Sequence, residues 1–186
     1  MAFVLLLGGC GYNGMLTQSK KVDEKWAMVE SAYQARADKV KGLAAIVKNA
    51  ADYERQTLTD VIEARSKATS VNISADNLTP ETLAQFEAAQ SQFTGALGKL
   101  LAVIEQYPDL KAVQLYRDFE YSYDELENQI KFARNEYSTA ATDFNIKIKR
   151  IPNVFYASIL GFYEKPLFKS NPGTENAPNV NDALKQ

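Results

Sequence analysis

Histidine is absent from this 186-residue chain and cysteine occurs once, so any chemistry would rest on carboxylates, hydroxyls and a single thiol. A dinuclear carboxylate centre in a helical bundle uses Glu-x-x-His motifs on facing helices, and structural or catalytic zinc draws on His and Cys sets. Histidine-based acids and triads are excluded for the same reason. Gly8, Gly9 and Gly11 around Cys10 lack the strand, helix start and lysine of a phosphate loop. Glu120, Asp124, Glu127 and Asp143 flank an apolar helical stripe, where acids form the solvated edge of a helix. The reading is a non-enzyme: no catalytic residue, no metal and no cofactor. Two charges stand apart. Glu54 falls in an apolar register between Val47 and Val61, and Arg134 sits beside Ala133 and Tyr137. Either they form a partly buried pair that fixes helix register, since a buried charge needs a partner, or both reach solvent along their stems.

The elements that would position these groups are helices. Tyr116, Phe119, Tyr123, Leu126, Ile130, Ala133, Tyr137, Ala140 and Phe144 recur at alternating steps of three and four, as on a helix that buries one face along its length. A similar stripe runs through Val22, Trp26, Val29, Tyr33, Ala37, Val40 and Leu43, onward to Leu58 and Val61 or Ile62. Taken as one helix, residues 19–67 would span roughly 73 Å, far longer than any helix beside them. A break is therefore expected near Asp38–Gly42, with Asp38 as a cap and Gly42 as a permissive point. Because the stripe keeps its phase there, one kinked helix remains the alternative. Residues 69–79 are mostly short and polar, of the kind that bond locally rather than continue a helix. Thr79-Pro80-Glu81 then signals a helix start; Leu83, Phe86, Phe93, Leu97, Leu100 and Ile104 line its face, with Gln90 the exception. Tyr107-Pro108 ends it, Asp109 can cap a last helix over about 111–149, and Ile151-Pro152 closes that one. The fold class is all-α: an antiparallel four-helix bundle of long helices, the first two separate or one kinked helix. A short aromatic helix or turn follows at 154–163, and 164–186 reads as a mobile tail.

Charge is nearly balanced, with 21 Lys and Arg against 23 Asp and Glu, which gives no electrostatic footprint for nucleic acid. At the N-terminus, Phe3-Val4-Leu5-Leu6-Leu7 is too short to span a bilayer but fits the back half of a signal h-region. Leu7-Gly8-Gly9-Cys10 resembles the lipobox of bacterial lipoproteins, with Cys10 as the lipid-attachment site; no Lys or Arg precedes it, and the other reading is an accidental match at a buried or stray cysteine. Residues 1–10 are thus assigned to processing and 11–18 to a tether. The aromatic cluster with Phe155, Tyr156, Phe162 and Tyr163 is too dense for one core face; it either seals the bundle end or forms a membrane or partner patch.

The order of short motifs resembles the LemA family. Tyr12-Asn13, Val22-Asp23, Trp26-Ala27 and Val29 are followed by Tyr107-Pro108-Asp109-Leu110-Lys111-Ala112, Glu127-Asn128, Ile130, Ala133-Arg134 and Tyr137. Ile151-Pro152, Ala157 and Gly161-Phe162 complete it, so that residues 12–163 are covered apart from the 69–79 loop. Arg36, Asp38 and Leu43 fit the family pattern, whereas Lys41 replaces its usual proline and Tyr53-Glu54 its His-Glu pair. The resemblance implies a LemA-like bundle over 19–163, anchored by its N-terminus to a bacterial membrane on the extracytoplasmic (periplasmic) face, with no enzymatic activity. The expected function is an envelope lipoprotein that acts as a scaffold or interaction module for an unidentified envelope protein. The alternative is a membrane-surface binding or remodelling protein that uses an amphipathic face of the bundle.

Overall fold

A computed structural model describes the backbone of residues 2–48, 55–108 and 114–169, and all of its regular structure is helical. The long helices are α1 (Ala2–Lys48), α2 (Arg55–Ser70), α3 (Pro80–Ile104) and α4 (Gln114–Lys149), with short 3-10 turns at Ala75–Asn77 and Asn153–Phe155. Helix α1 packs along α4, and α2 packs against α3 and α1. The pairs Lys25–Glu136 and Arg36–Glu127 show that α1 and α4 run in opposite directions.

Local chemistry sets the ends. Thr79 and Thr82 form a reciprocal capping box, with the Thr82 N–H donating to Thr79 Oγ1 at 3.2 Å and the Thr79 N–H donating to Thr82 Oγ1 at 2.9 Å. Pro80 occupies the first turn, where its missing N–H costs nothing. Both stripes face inward: Val22, Trp26, Val29, Tyr33, Ala37, Val40 and Leu43 are buried on α1, and Tyr116, Phe119, Ile130, Ala133, Tyr137, Ala140 and Phe144 on α4.

Three expectations change. Helix α1 passes through Asp38–Gly42 without a break; nothing lies within 4 Å of where a Gly42 side chain would stand, and Lys41 has an N–H to give where the family's proline would not. The chain instead places α2 alongside α1, with Arg65 Nε donating to the Ala37 carbonyl at 2.7 Å. Residues 11–18, read as a tether, are helical; Met15 is fully buried and Tyr12 meets the Phe162 ring at 5.7 Å. Two glycines conceal a helix there because each admits a close neighbour: a Gly11 side chain would collide with Tyr156 Oη, and one at Gly14 would push the flexible end of Lys147 aside. The expected tail is, over 164–169, an extended strap on the bundle. Its anchors are described with the site below. Residues 170–186, Glu54 and Asp109 lie outside the described residues.

The apolar interior falls into two clusters. One is built around Trp26, Val29, Tyr33, Phe86, Ile130, Tyr137 and Phe144. The other holds Val40, Leu43, Leu58, Val61, Phe93, Leu97, Leu100, Ile104, Tyr116 and Phe119. A polar layer marks the boundary between them.

Candidate functional site

That layer is centred on Arg36, which occupies a stripe position on α1 and is 2% exposed. Its Nη1 donates to Thr94 Oγ1 at 2.9 Å and to Glu127 Oε1 at 3.0 Å, and its Nη2 donates to Gln90 Oε1 at 2.8 Å. Gln90 Nε2 passes the network on to the Ala68 carbonyl at 3.3 Å. The guanidinium lies over the rings of Tyr33 and Phe93, at 5.0 and 5.2 Å from their centroids. Its Nε has no acceptor among the described residues, and the two ring faces offset part of that deficit. A cleft of about 310 Å³ opens beside this layer, lined by Ser91, Lys131, Arg134 and Glu87 among others. Burial, and then the Glu127 charge, push the nearby Tyr123 hydroxyl up to about 12. No group in the layer is a nucleophile poised by a base. What the arrangement can do is hold α1, α3 and α4 in one register.

The second polar assembly belongs to the strap. Lys165 N–H donates to Asn145 Oδ1 and Asn145 Nδ2 donates to the Lys165 carbonyl, both at 2.8 Å. Tyr137 Oη donates to the Pro166 carbonyl at 2.7 Å, and Lys165 Nζ to the Ala75 carbonyl at 3.0 Å. Phe168 then reaches Trp26 at 6.2 Å and Tyr137 at 5.5 Å between ring centroids. Trp26 Nε1 donates to the Ile73 carbonyl at 2.6 Å, so the 69–79 loop and the strap close over the same indole. Burial raises the Tyr137 hydroxyl well above the ordinary tyrosine range.

Arg134 joins the two assemblies. It pairs with Glu87 at 3.1 Å and lies 4.3 Å above the Phe168 ring. Glu54, its expected partner, is outside the described residues, so Glu87 is the acid the structure places against it. Glu120, Asp124 and Asp143 are exposed as expected, but Glu127 is a correction: it is drawn into the Arg36 network rather than solvated. Among the described residues, no three acids or thiols gather as a metal site. Sequence reasoning passed over Arg36 and Gln90 as a pair. The usable signal was that each is a polar residue standing in an otherwise apolar stripe, and Asn145 beside Phe144 was a weaker one for the strap.

The end of the bundle is the third candidate. Residues 150–163 fold across the end of α4 with Asn153 and Ala157 buried, and with Tyr156 and Phe162 half-buried. Tyr156 Oη donates to Asn153 Oδ1 at 2.8 Å, and Phe162 meets Phe144 at 6.2 Å. Phe155, Ile159 and Tyr163 are 71%, 82% and 68% exposed, and Ile151, Val154 and Leu160 are exposed with them. Tyr156 and Phe162 thus seal the end while Phe155 and Tyr163 face out. Cys10 lies in α1 directly before Gly11, though its side chain is outside what the structure describes.

The profile of the LemA family matches residues 25–181. The chain belongs to the LemA family. The match carries on through the strap, which the motif resemblance had left out. This LemA-family chain is 38% identical over 84 residues to magnetosome protein MamQ 2 of Paramagnetospirillum magneticum, covering 45% of the chain and 31% of that protein. It is 32% identical over 84 residues, with the same coverage, to magnetosome protein MamQ of Magnetospirillum gryphiswaldense. With protein LemA of Metamycoplasma hominis the identity is 28% over 162 residues, which is 86% of the chain and 69% of that protein. The matched region spans under a third of the MamQ proteins. None of these names denotes an enzyme.

Proposed function

We propose that this LemA-family chain is a non-enzymatic module of the bacterial cell envelope, held to a membrane by a lipid on Cys10 and facing the extracytoplasmic side. Its four helices act as one antiparallel bundle that serves as a scaffold for an envelope protein. The observation that carries the reading is the continuity of α1. The helix that places Trp26 and Arg36 in the core begins with Phe3–Leu7 and Cys10, so a lipid on Cys10 would sit one residue from Gly11 and the sealed bundle end. No described helix is long and apolar enough to cross a membrane, and a lipid on Cys10 is an anchor this segment can offer. Several acyl chains make such an anchor firm, where a single chain binds only marginally. The Arg36 layer supports the scaffold part of the reading, because both terminal nitrogens of the guanidinium are spent on helix register rather than on a substrate.

The test is fractionation of the full chain expressed in bacteria, with intact mass. A mature protein beginning at a lipid-modified Cys10, released from membranes by Cys10→Ser, is the expected result. An unmodified chain that stays on membranes after Cys10→Ser would refute the lipid anchor. The reading in which the folded part itself touches lipid is favoured by one observation, the exposed apolar side chains of 151–163.

A further inference from the structure

We propose that the outward face of residues 150–163 is a membrane-contact surface that inserts shallowly into an anionic bilayer, setting the bundle end-on against it. Phe155, Ile159 and Tyr163 stand out from the loop with Ile151, Val154 and Leu160 around them. The loop is not loose: Asn153 Nδ2 donates to the Lys147 carbonyl at 2.9 Å, the Ala157 N–H to the Asn153 carbonyl at 2.8 Å, and the Phe162 N–H to the Ala157 carbonyl at 2.9 Å. Large apolar groups are therefore held in water by a rigid frame, and such a patch marks a surface meant to be covered.

Two observations name the bilayer as the cover. First, charge changes sign here. Residues 146–164 carry Lys147, Lys149 and Arg150 against the lone acid Glu164, in a chain whose net charge is −2. Apolar and aromatic side chains beside a basic flank are what an anionic headgroup boundary selects. Second, α1 brings the anchor to the same place. Asn153 and Tyr156 crowd Gly11, and Cys10 directly precedes it in α1, so a lipid on Cys10 would enter the same bilayer. The contact lies at the end of the bundle and not along an amphipathic side. It deepens the membrane-anchored reading and rests on it only for orientation.

The experiment uses the full chain mixed with vesicles of phosphatidylglycerol and phosphatidylcholine, the latter brominated on its acyl chains. Phe155→Trp adds an indole at the patch, and Tyr121→Trp adds one at an exposed position on α4 about 40 Å away. Trp26 is buried and supplies the same background in both. Flotation shows whether the chain is on the vesicles, and quenching shows what touches them. The expected result is quenching at position 155 at least about twofold above that at 121, as a side chain 5–10 Å into the headgroup boundary requires. Adding Ile159→Ser to Phe155→Trp should cut that quenching at least about twofold, because a large apolar contact that holds the patch in the headgroup boundary is removed. Equal, weak quenching on vesicles that carry the chain overturns the patch and leaves the anchor standing. Failure of the chain to float with Cys10 lipid-modified overturns both readings. A patch protected only as protein concentration rises, without lipid, overturns the proposal in favour of a second copy.

Discussion

At the waist of the bundle, Arg36 sets a full positive charge among apolar side chains, and Thr94, Glu127, Gln90 and two aromatic rings are arranged around it. At the end of the bundle, Phe155, Ile159 and Tyr163 set large apolar groups in water, and no described residue covers them. Both are costly placements, but the fold answers only one of them internally. A charge without partners is penalised at once on folding, so its partners must come from the same chain. An exposed aromatic is tolerated by the fold and can wait for something outside. The waist therefore reads as structure and the end as interaction.

Breaking the waist should give the largest effect. Arg36→Ala strands Glu127 and Gln90 and is expected to cost about 3–5 kcal/mol, as for other half-removed buried pairs; urea unfolding monitored at Trp26 measures it. Arg36→Met with Gln90→Leu and Glu127→Gln should recover most of that loss, since a layer with no buried charge can match a buried ionic one. If the triple variant is as unstable as Arg36→Ala, the layer does more than satisfy its own charge.

The strap lies between the two regions in size of effect. Phe168→Ala removes contacts to Trp26, Tyr137 and Arg134 and should cost about 1–3 kcal/mol from lost aromatic and cation–π contacts. The single indole should shift to the red as its cover leaves. An unchanged spectrum would mean that the strap does not shield Trp26 in solution.

Alkaline pH sharpens the same contrast. Tyr123 is raised to about 12, by burial first and Glu127 second, and burial alone lifts Tyr137 further. Their folded values lie above the unfolded one near 10, so the unfolded chain gives up protons first. Stability should be level up to about pH 10 and fall as pH rises toward 12. Tyr137→Phe should make that fall shallower, as melting curves across the range would record.

The smallest effect belongs to the end. Phe155→Ser and Ile159→Ser should each change stability by under about 0.5 kcal/mol, as surface substitutions usually do, while Ile159→Ser lowers the lipid quenching read at position 155. A large destabilisation in thermal melts would turn the patch into part of the core and remove the contrast.

How much was legible follows the same division. The helices, the inward faces of α1, α3 and α4, and the Thr79 and Pro152 boundaries were readable, because period, capping and proline chemistry are local properties. Most of Phe119 to Phe144 could be placed in the core from spacing alone. The family, too, was readable from short motifs in order. The continuity of α1 through Asp38–Gly42 was misjudged, since a permissive Gly does not break a helix whose flanking residues are good formers and whose face is buried. Residues 11–18 looked like a tether because Gly11 and Gly14 have no helix propensity to show; only the crowding by Tyr156 and Lys147 explains them. The strap at 164–169 has no periodicity, and its order comes from Asn145, Tyr137 and Trp26, which are far away in sequence. Arg36 and Gln90 were each visible as polar residues on apolar faces, but on helices more than fifty positions apart their partnership was not. Local propensity and period are written in neighbouring residues and survive without a fold. Which charge meets which acid, what a half-buried tyrosine donates to, and which aromatics stay uncovered depend on contacts that exist only once the helices have packed.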